Sequence, residues 1–269
     1  MVDFAVHERR FFFIPQYINK KRGNIMKEKD FYENLGNWDF SFINCEEERL
    51  TNWEFIDELK KIVNEDSKIL DLGTGGGEKL LTYPVVKEIV GTDFSSKMIE
   101  TANKNLLMSG RSDVIFKVMD NLNMNVEEDY FDVVTARNTI TDMKEIYSCL
   151  KKGGYLLLHG VDKLDCWELK SLFGHGQGFE DVKPISLIDY ENAFDAGFID
   201  VELIPLHVRE YYKTVYDLLA LLYKTPILED FDAKERKIDL YLLDKYVKSH
   251  ISEKGIVLVR RYYGIVAKK

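Results

Sequence analysis

Three acids and a cluster of glycines carry the clearest chemical potential in this chain. Asp71 stands in the run Lys68–Leu81, KILDLGTGGGEKLL, and is followed by Gly73, Thr74, Gly75, Gly76 and Gly77. An apolar run, an acid, a glycine-dense turn and a helix-compatible segment from Glu78 predict a strand, a tight turn and a helix start. That arrangement lets a backbone approach a nucleotide-like ligand closely. Asp93 closes the apolar run Glu88–Thr92 about 20 residues after the glycines, where an acid accepts hydrogen bonds from ribose hydroxyls. Asp120 closes Val114–Met119, where a carboxylate can accept from an adenine amino group. Acids at the C-terminal ends of three successive strands mark one edge of a sheet, the edge at which open α/β sheets bind ligands.

Two ligand classes use a glycine turn after a first strand: nicotinamide or flavin dinucleotides, and S-adenosylmethionine. The dinucleotide pattern G-x-G-x-x-G needs its third glycine for close helix packing, and its helix N-terminus faces a pyrophosphate. Gly73 and Gly75 fill two positions, but Glu78 stands at the third and would repel a pyrophosphate. The pattern is instead D-x-G-x-G-x-G. A carboxylate at Asp71 suits a cationic ligand, and S-adenosylmethionine carries a sulfonium and an α-ammonium. Asp93 serves either class.

The elements that must position these residues alternate. A helix is expected over Thr51–Asn64, with Trp53, Ile56, Leu59, Ile62 and Val63 at helical spacing. Strands follow at the opening run and at Glu88–Thr92, Val114–Met119, Phe131–Thr135 and Tyr155–His159, with helices from Ser95 to about Met108 and over Asp142–Leu150. Pro84 limits the helix after the glycines to about two turns. Beyond a polar, glycine-rich stretch at Val161–Lys183 come a helix over Ile188–Ala196 and a sixth strand over Phe198–Ile204. Two further helices are expected over Thr214–Tyr223 and Asp232–Val247, the second opened by Asp232 and Glu235 in capping-box spacing. Gly255–Val259 and Arg261–Ala267 read as a terminal strand pair or one long bent strand. The fold class is α/β: a doubly wound, mostly parallel sheet.

Composition narrows the setting. The chain has 269 residues, 45% hydrophobic and 31% charged, with a net charge of −9. That length holds one large domain, or one domain with a cap. The acidic balance disfavours general binding to nucleic acid or anionic membranes. No apolar run nears the roughly 18 residues needed to span a bilayer. Cys45, Cys149 and Cys166 are scattered, which fits reduced thiols in a cytoplasmic setting, and the five histidines show no metal-ligand spacing. Residues 1–25 lack a clear period, and Met26 opens a segment that reads like a natural start. The purine-rich codons that Lys21-Arg22-Gly23 imply stand where a bacterial ribosome-binding site belongs, so translation is expected to begin at Met26. The intact mass of the natural product tests this. Residues 26–65 form an aromatic arm and helix; Trp38 and Phe40 in the arm either pack on the core or form a flap over the ligand.

At this point the chain resembles the class I S-adenosylmethionine-dependent methyltransferases. The matching blocks are ILDLGTGGG (Ile69–Gly77), VGTDFSSKMIETA (Val90–Ala102), Asp120-Asn121, YFDVVTARN (Tyr130–Asn138) and LKKGGYLLLHG (Leu150–Gly160), in the family's order. The resemblance implies a seven-stranded sheet whose last strand inserts antiparallel beside the fifth and sixth, and a methyltransferase domain over 66–269. It implies S-adenosyl-L-methionine as cofactor and S-adenosyl-L-homocysteine as product. It places Gly73, Thr74, Gly75 and Gly77 along the methionine moiety, with Asp71 near its amino group. Asp93 falls on the ribose, Phe94 and Met98 beside the adenine, and Asp120 and Asn121 at its polar edge. Arg137 lies where the family contacts cofactor or substrate. The N/D-P-P-Y/F tetrapeptide of the family's base and glutamine N-methyltransferases is replaced by Ala136-Arg137-Asn138-Thr139, which disfavours that chemistry.

Insertions at about 161–187 and 208–250, with the aromatic arm, converge on the ligand edge as substrate-selective lids do. They predict a small-molecule acceptor methylated on oxygen or nitrogen. The alternatives are an rRNA methyltransferase and a non-catalytic S-adenosylmethionine-binding sensor or scaffold. Candidate catalytic residues are His159, as a base on a hydroxyl or amine, and Arg137; each also has a structural reading, His159 as a hydrogen-bonded strand end and Arg137 as the partner of an acid. His175 and Tyr211 are candidate substrate contacts, with packing as the other reading. Asp71 reads either as a ligand contact or as a cap for the turn. The chain is expected to be a monomer or homodimer, with Thr214–Tyr223 either facing the core or pairing two copies.

Overall fold

The computed structural model describes residues 42–228 and 238–269. Short apolar runs become the parallel strands β2 (Lys68–Leu72), β3 (Glu88–Asp93), β4 (Val114–Val118) and β5 (Phe131–Arg137), and β6 (Leu150–Val161) joins them parallel to β5. To reach β1 (Cys45–Arg49) and the long strands β7 (Ile199–Tyr212) and β9 (Gly255–Lys268), the sheet continues in the order β1-β7-β9-β6-β5-β2-β3-β4. A two-residue strand, β8 (Ile251–Ser252), hairpins onto β9. As expected, β9 lies antiparallel between β6 and β7.

Helices cover both faces. On one face, α1 (Phe55–Ile62) and α2 (Ser96–Ser109) pack Phe55, Leu59, Ile99 and Ala102 onto Ile69, Ile89 and Val133. On the other, α3 (Met143–Cys149) and a helix at Ile185–Ala196 pack Met143, Ile146 and Ala193 onto Leu70, Leu72 and Val134. Covering on both sides is why the inner strands read as apolar runs rather than alternations. The sequence's cap residues act as such: Ser95 Oγ accepts from Met98 N, and Asp142 accepts from Lys144 N and Glu145 N.

Several expectations are corrected. The helix expected from Glu78 is a single 3₁₀ turn, Leu80–Thr82, because Gly73, Gly75 and Gly77 all hold left-handed φ values and Pro84 closes the segment. Seven strands were expected, and nine pair among the described residues. The added β1, CEEER, pairs through its backbone with the far end of β7 and exposes its charges at the sheet edge. The polar stretch after β6 contains a further helix, α4 (Trp167–Phe173), and α5 names Ile185–Ala196. The remaining helices are α6 (Val215–Lys224), with the Thr214–Asp217 capping box, and α7 (Leu240–His250), capped by Asp239. Asp232 and Glu235, Met26, and the arm with Trp38 and Phe40 lie outside the described residues.

The sixth strand was expected to end near Ile204, but β7 runs on to Tyr212. β6 stops at Val161, paired with Tyr262, while β9 begins seven residues earlier at Gly255. The β1–β7–β9 ribbon therefore projects past the C-terminal ends of the parallel strands. On it, α4, α6 and α7 form a separate apolar cluster around Cys166, Leu169, Leu218, Leu222, Leu243 and Tyr246. By register, Ile256, Leu258, Arg260, Tyr262, Gly264 and Val266 share one face of β9. The cap cluster covers that face at Ile256 and Leu258, and α1 covers it at Val266. Between the two coverings lies a row of polar side chains.

Candidate functional site

The glycine turn is shaped by its neighbours. Asp93 Oδ2 accepts the Gly75 N–H at 3.0 Å and Oδ1 accepts the Ser95 N–H at 2.9 Å, so one buried carboxylate ties the turn to the start of α2. Thr74 N donates to Thr92 O at 2.8 Å. Gly73, at φ +68°, packs against the β5–α3 loop; a β-carbon there would stand 2.6 Å from Thr139. Asn121 is buried on the same side, and its Nδ2 donates to Thr139 Oγ1 at 3.1 Å and to Ile140 O at 3.2 Å. Met98 is buried behind the turn, and Phe94 is half-buried at the end of β3. The Thr74 hydroxyl lies beside the Asp71 carboxylate, while Asn121 Oδ1 is buried without a hydrogen bond among the described residues. Buried polar atoms of this kind usually find a partner.

Asp71 faces the same side as α1. Its Oδ1 accepts from Tyr83 Oη at 2.9 Å and from Thr135 Oγ1 at 2.6 Å, and burial pushes its pKa up. Burial also raises that of Asp93. Both acids thus sit where a cationic partner would favour their charged form.

Moving across the sheet away from Asp93, the row continues through Arg137 at the end of β5, paired with His159 on β6, which is paired with Gly264 on β9. The Arg137 guanidinium lies 5.2 Å from the Phe55 ring. The His159 ring is 5.1 Å from that of Tyr262, which in turn lies 4.9 Å from Arg260. His159 Nδ1 is 3.0 Å from Asn138 Oδ1, an acceptor, which places the ring proton on Nδ1 and leaves Nε2 as an acceptor. Asn138 reaches it from a left-handed backbone conformation at φ +50°. Burial, and next the Arg137 charge, push the His159 pKa down to about 4, so the ring is neutral at pH 7. Trp53 lies on Gly264, where a β-carbon would stand 3.0 Å from its ring. Under the cap the row ends in a buried ion cluster, with Arg260 held by Asp165 at 2.9 Å and Glu210 at 3.2 Å.

The acids and glycines expected to act together are thus gathered at one edge, and Arg137 and His159 are neighbours. Three expectations are redirected. Asp120 is exposed and its Oδ1 accepts from Leu122 N, closing a local turn. Tyr211 faces away from the Tyr262 side of the ribbon; its hydroxyl donates to Glu48, and Lys254 covers its ring. His175 belongs to the cap, with Nδ1 on Leu228 O and its ring edge-on to Phe173. Trp53, Phe55, Tyr83 and Tyr262 line the site and escape sequence reasoning, because each reads as an ordinary packing aromatic. Among the described residues no group of three or more His, Cys, Asp or Glu could hold a metal, and no helix is long and apolar enough to cross a membrane.

Residues 63–185, which include Asp71, the glycine turn, Asp93, Asn121, Arg137 and His159, match the family model of a methyltransferase domain. Over those residues the chain is similar to a methyltransferase domain, and its sheet and helices share the fold of solved methyltransferase-like structures. Ribosomal protein L11 methyltransferase of Bacillus pumilus is 26% identical over 142 residues, covering 50% of this chain and 45% of that protein. Phosphoethanolamine N-methyltransferase of Plasmodium falciparum is 29% identical over 119 residues, covering 38% of this chain and 44% of that protein. The chain thus spans less than half the length of these curated relatives. The solved structure of the YcgJ protein of Bacillus subtilis shares the fold at a TM-score of 0.52 and 20% identity, covering 80% of this chain and 97% of that one.

Proposed function

We propose that the protein transfers a methyl group from S-adenosyl-L-methionine to an oxygen or nitrogen of a small molecule, releasing S-adenosyl-L-homocysteine. The residues fit that cofactor: buried acids at the ends of β2 and β3, a left-handed glycine turn between them, and a buried, unpartnered Oδ1 on Asn121. Asp93 would hold the ribose, Gly73 to Gly77 the methionine moiety, Met98 and Phe94 the adenine and Asn121 its polar edge. The bound cofactor supplies a methyl carbon already activated by a sulfonium. The chain's own task is then alignment and exclusion of water more than acid–base chemistry.

One observation carries the choice of a small acceptor. The β7–β9 ribbon and its helical cap rise beside the glycine edge, and α1 closes the same sheet face from the other end. An acceptor must fit between these walls, next to Arg137, His159 and Tyr262. His159 Nε2 can accept a hydrogen bond from the acceptor, but a pKa near 4 makes it a positioning group rather than a strong base. The three free thiols fit a cytoplasmic setting.

Radiolabelled methyl transfer tests this reading, with the full chain offered a metabolite extract and, separately, intact ribosomes. Label in small molecules is the expected result. Label in RNA or in ribosomal protein would overturn the acceptor class. Cofactor binding without transfer to either would leave a sensor.

A further inference from the structure

We propose that the acceptor carries an anionic group, a carboxylate or phosphate, which docks on the Arg137 guanidinium and the Trp53 indole N–H on either side of His159. This rests on the methyltransferase reading and names the substrate class of that site.

Arg137 differs from every other described arginine. Arg49, Arg111, Arg209, Arg260 and Arg261 each form an ion pair with an aspartate or glutamate. Among the described residues Arg137 forms none, and its Nε is buried without a hydrogen-bond partner. Its guanidinium lies against the face of Phe55. The nearest acid in the row, Asp71, already accepts two hydroxyl hydrogen bonds.

Trp53 supplies the second observation. Its Nε1 is also buried and unpartnered, and its ring lies on Gly264, the residue paired with His159. Two orphaned donors therefore flank one histidine, Arg137 on the strand to one side and Trp53 laid on the strand to the other. An unmet buried donor is costly, so two flanking one residue point to a missing acceptor of hydrogen bonds. Of the charges acting on His159, that of Arg137 is the strongest. A guanidinium outside any ion pair, with an indole N–H that lacks an acceptor, selects an anion, and guanidinium matches the two oxygens of a carboxylate or phosphate.

The position assigns that anion to the acceptor. The cofactor's ribose acid, Asp93, is on β3 and the glycine turn follows β2, whereas the donors lie on the β5, β6 and β9 side, towards the cap. The other source of the same chemistry is the carboxylate of the cofactor's methionine tail, and the test separates the two.

Calorimetry on the full chain saturated with S-adenosylhomocysteine, with inorganic phosphate and acetate as probes, gives the decision. The wild type should bind at least one anion. Arg137→Gln should weaken that binding at least tenfold, Arg137→Lys less, and Trp53→Phe, which removes only the N–H and keeps an aromatic ring, by severalfold. Affinity for S-adenosylhomocysteine should stay within about threefold of wild type in Arg137→Gln. If the saturated wild type binds neither anion, the proposal falls and the methyltransferase reading stands. If Arg137→Gln loses S-adenosylhomocysteine tenfold while methylthioadenosine, which lacks the amino-acid tail, binds both proteins equally, the anion is the cofactor's and the proposal falls. If the folded wild type binds no S-adenosylhomocysteine, both readings fall. Should Arg137→Gln not fold, Trp53→Phe carries the same test.

Discussion

Asp93 and Gly75 are joined by a 3.0 Å hydrogen bond from the turn's backbone N–H to the carboxylate, whose other oxygen receives the Ser95 N–H. The acid expected to hold the ribose is therefore also the clamp that shapes the glycine turn and the start of α2. Under the proposed function, cofactor affinity and local stability are linked through this one side chain.

Replacing that side chain should affect both. Asp93→Ala is expected to weaken S-adenosylhomocysteine at least tenfold and to lower the melting temperature by several degrees, since two backbone donors lose a charge-assisted acceptor. Asp93→Asn, which keeps one carbonyl oxygen, should recover part of the melting temperature and little of the affinity. Calorimetry and thermal unfolding on the same samples separate the two effects.

Gly73 and Thr139 should be coupled. Gly73→Ala combines a left-handed backbone with a β-carbon 2.6 Å from Thr139, and should destabilise by roughly 1–3 kcal/mol. Thr139→Gly in the same chain removes the clash but not the backbone strain, which is about 1 kcal/mol or more. A double-mutant cycle by urea unfolding should therefore show a favourable coupling between the two changes, and additivity would mean the turn and the loop do not touch.

His159 should make stability depend on pH. Its folded pKa, about 4, lies below the ordinary imidazole value of 6.5, so the unfolded chain takes up the proton first as pH falls. Stability is thus undiminished above about pH 6.5 and is lost between there and pH 4. Asp71 and Asp93, whose pKa values are raised, act in the opposite sense, so the readout is the difference from a variant. Relative to His159→Gln, the wild type should lose about 2 to 3 kcal/mol between pH 7 and pH 4, at roughly 1.4 kcal/mol per unit. Parallel pH dependences would contradict a ring held neutral in the folded chain.

The ion cluster under the cap should be intolerant of partial removal. Arg260→Met leaves Asp165 and Glu210 buried without their cation, and a loss of roughly 3–5 kcal/mol is expected in urea unfolding. Adding Asp165→Asn and Glu210→Gln to that variant should restore a substantial part.

The cradle was legible in the sequence because its signals are local. Strand, glycines and terminal acid occur together in a dozen residues, and Ser95 and Asp142 announce their helices by residue type. The projecting ribbon was not legible. Its β7 segment carries Pro205, His207, Arg209 and Glu210, which dilute strand alternation, and Glu210, Arg260 and Asp165 are buried only because they neutralise one another across distant segments. The strand β1 has no apolar pattern, since backbone pairing to β7 alone defines it. Trp53 and Arg137 read as a helix-facing aromatic and a strand-end charge, and their lack of partners is a property of the assembled site. Conversely, Asp120 has the right place in the pattern, but its carboxylate is used by its own turn.

Equilibrium titration of the full chain with S-adenosylmethionine, S-adenosylhomocysteine and NAD tests the central claim most directly. The account predicts one site that binds the first two in competition, is disabled by Asp93→Ala, and ignores NAD. A folded chain that binds NAD at that site, or binds none of the three, would contradict it.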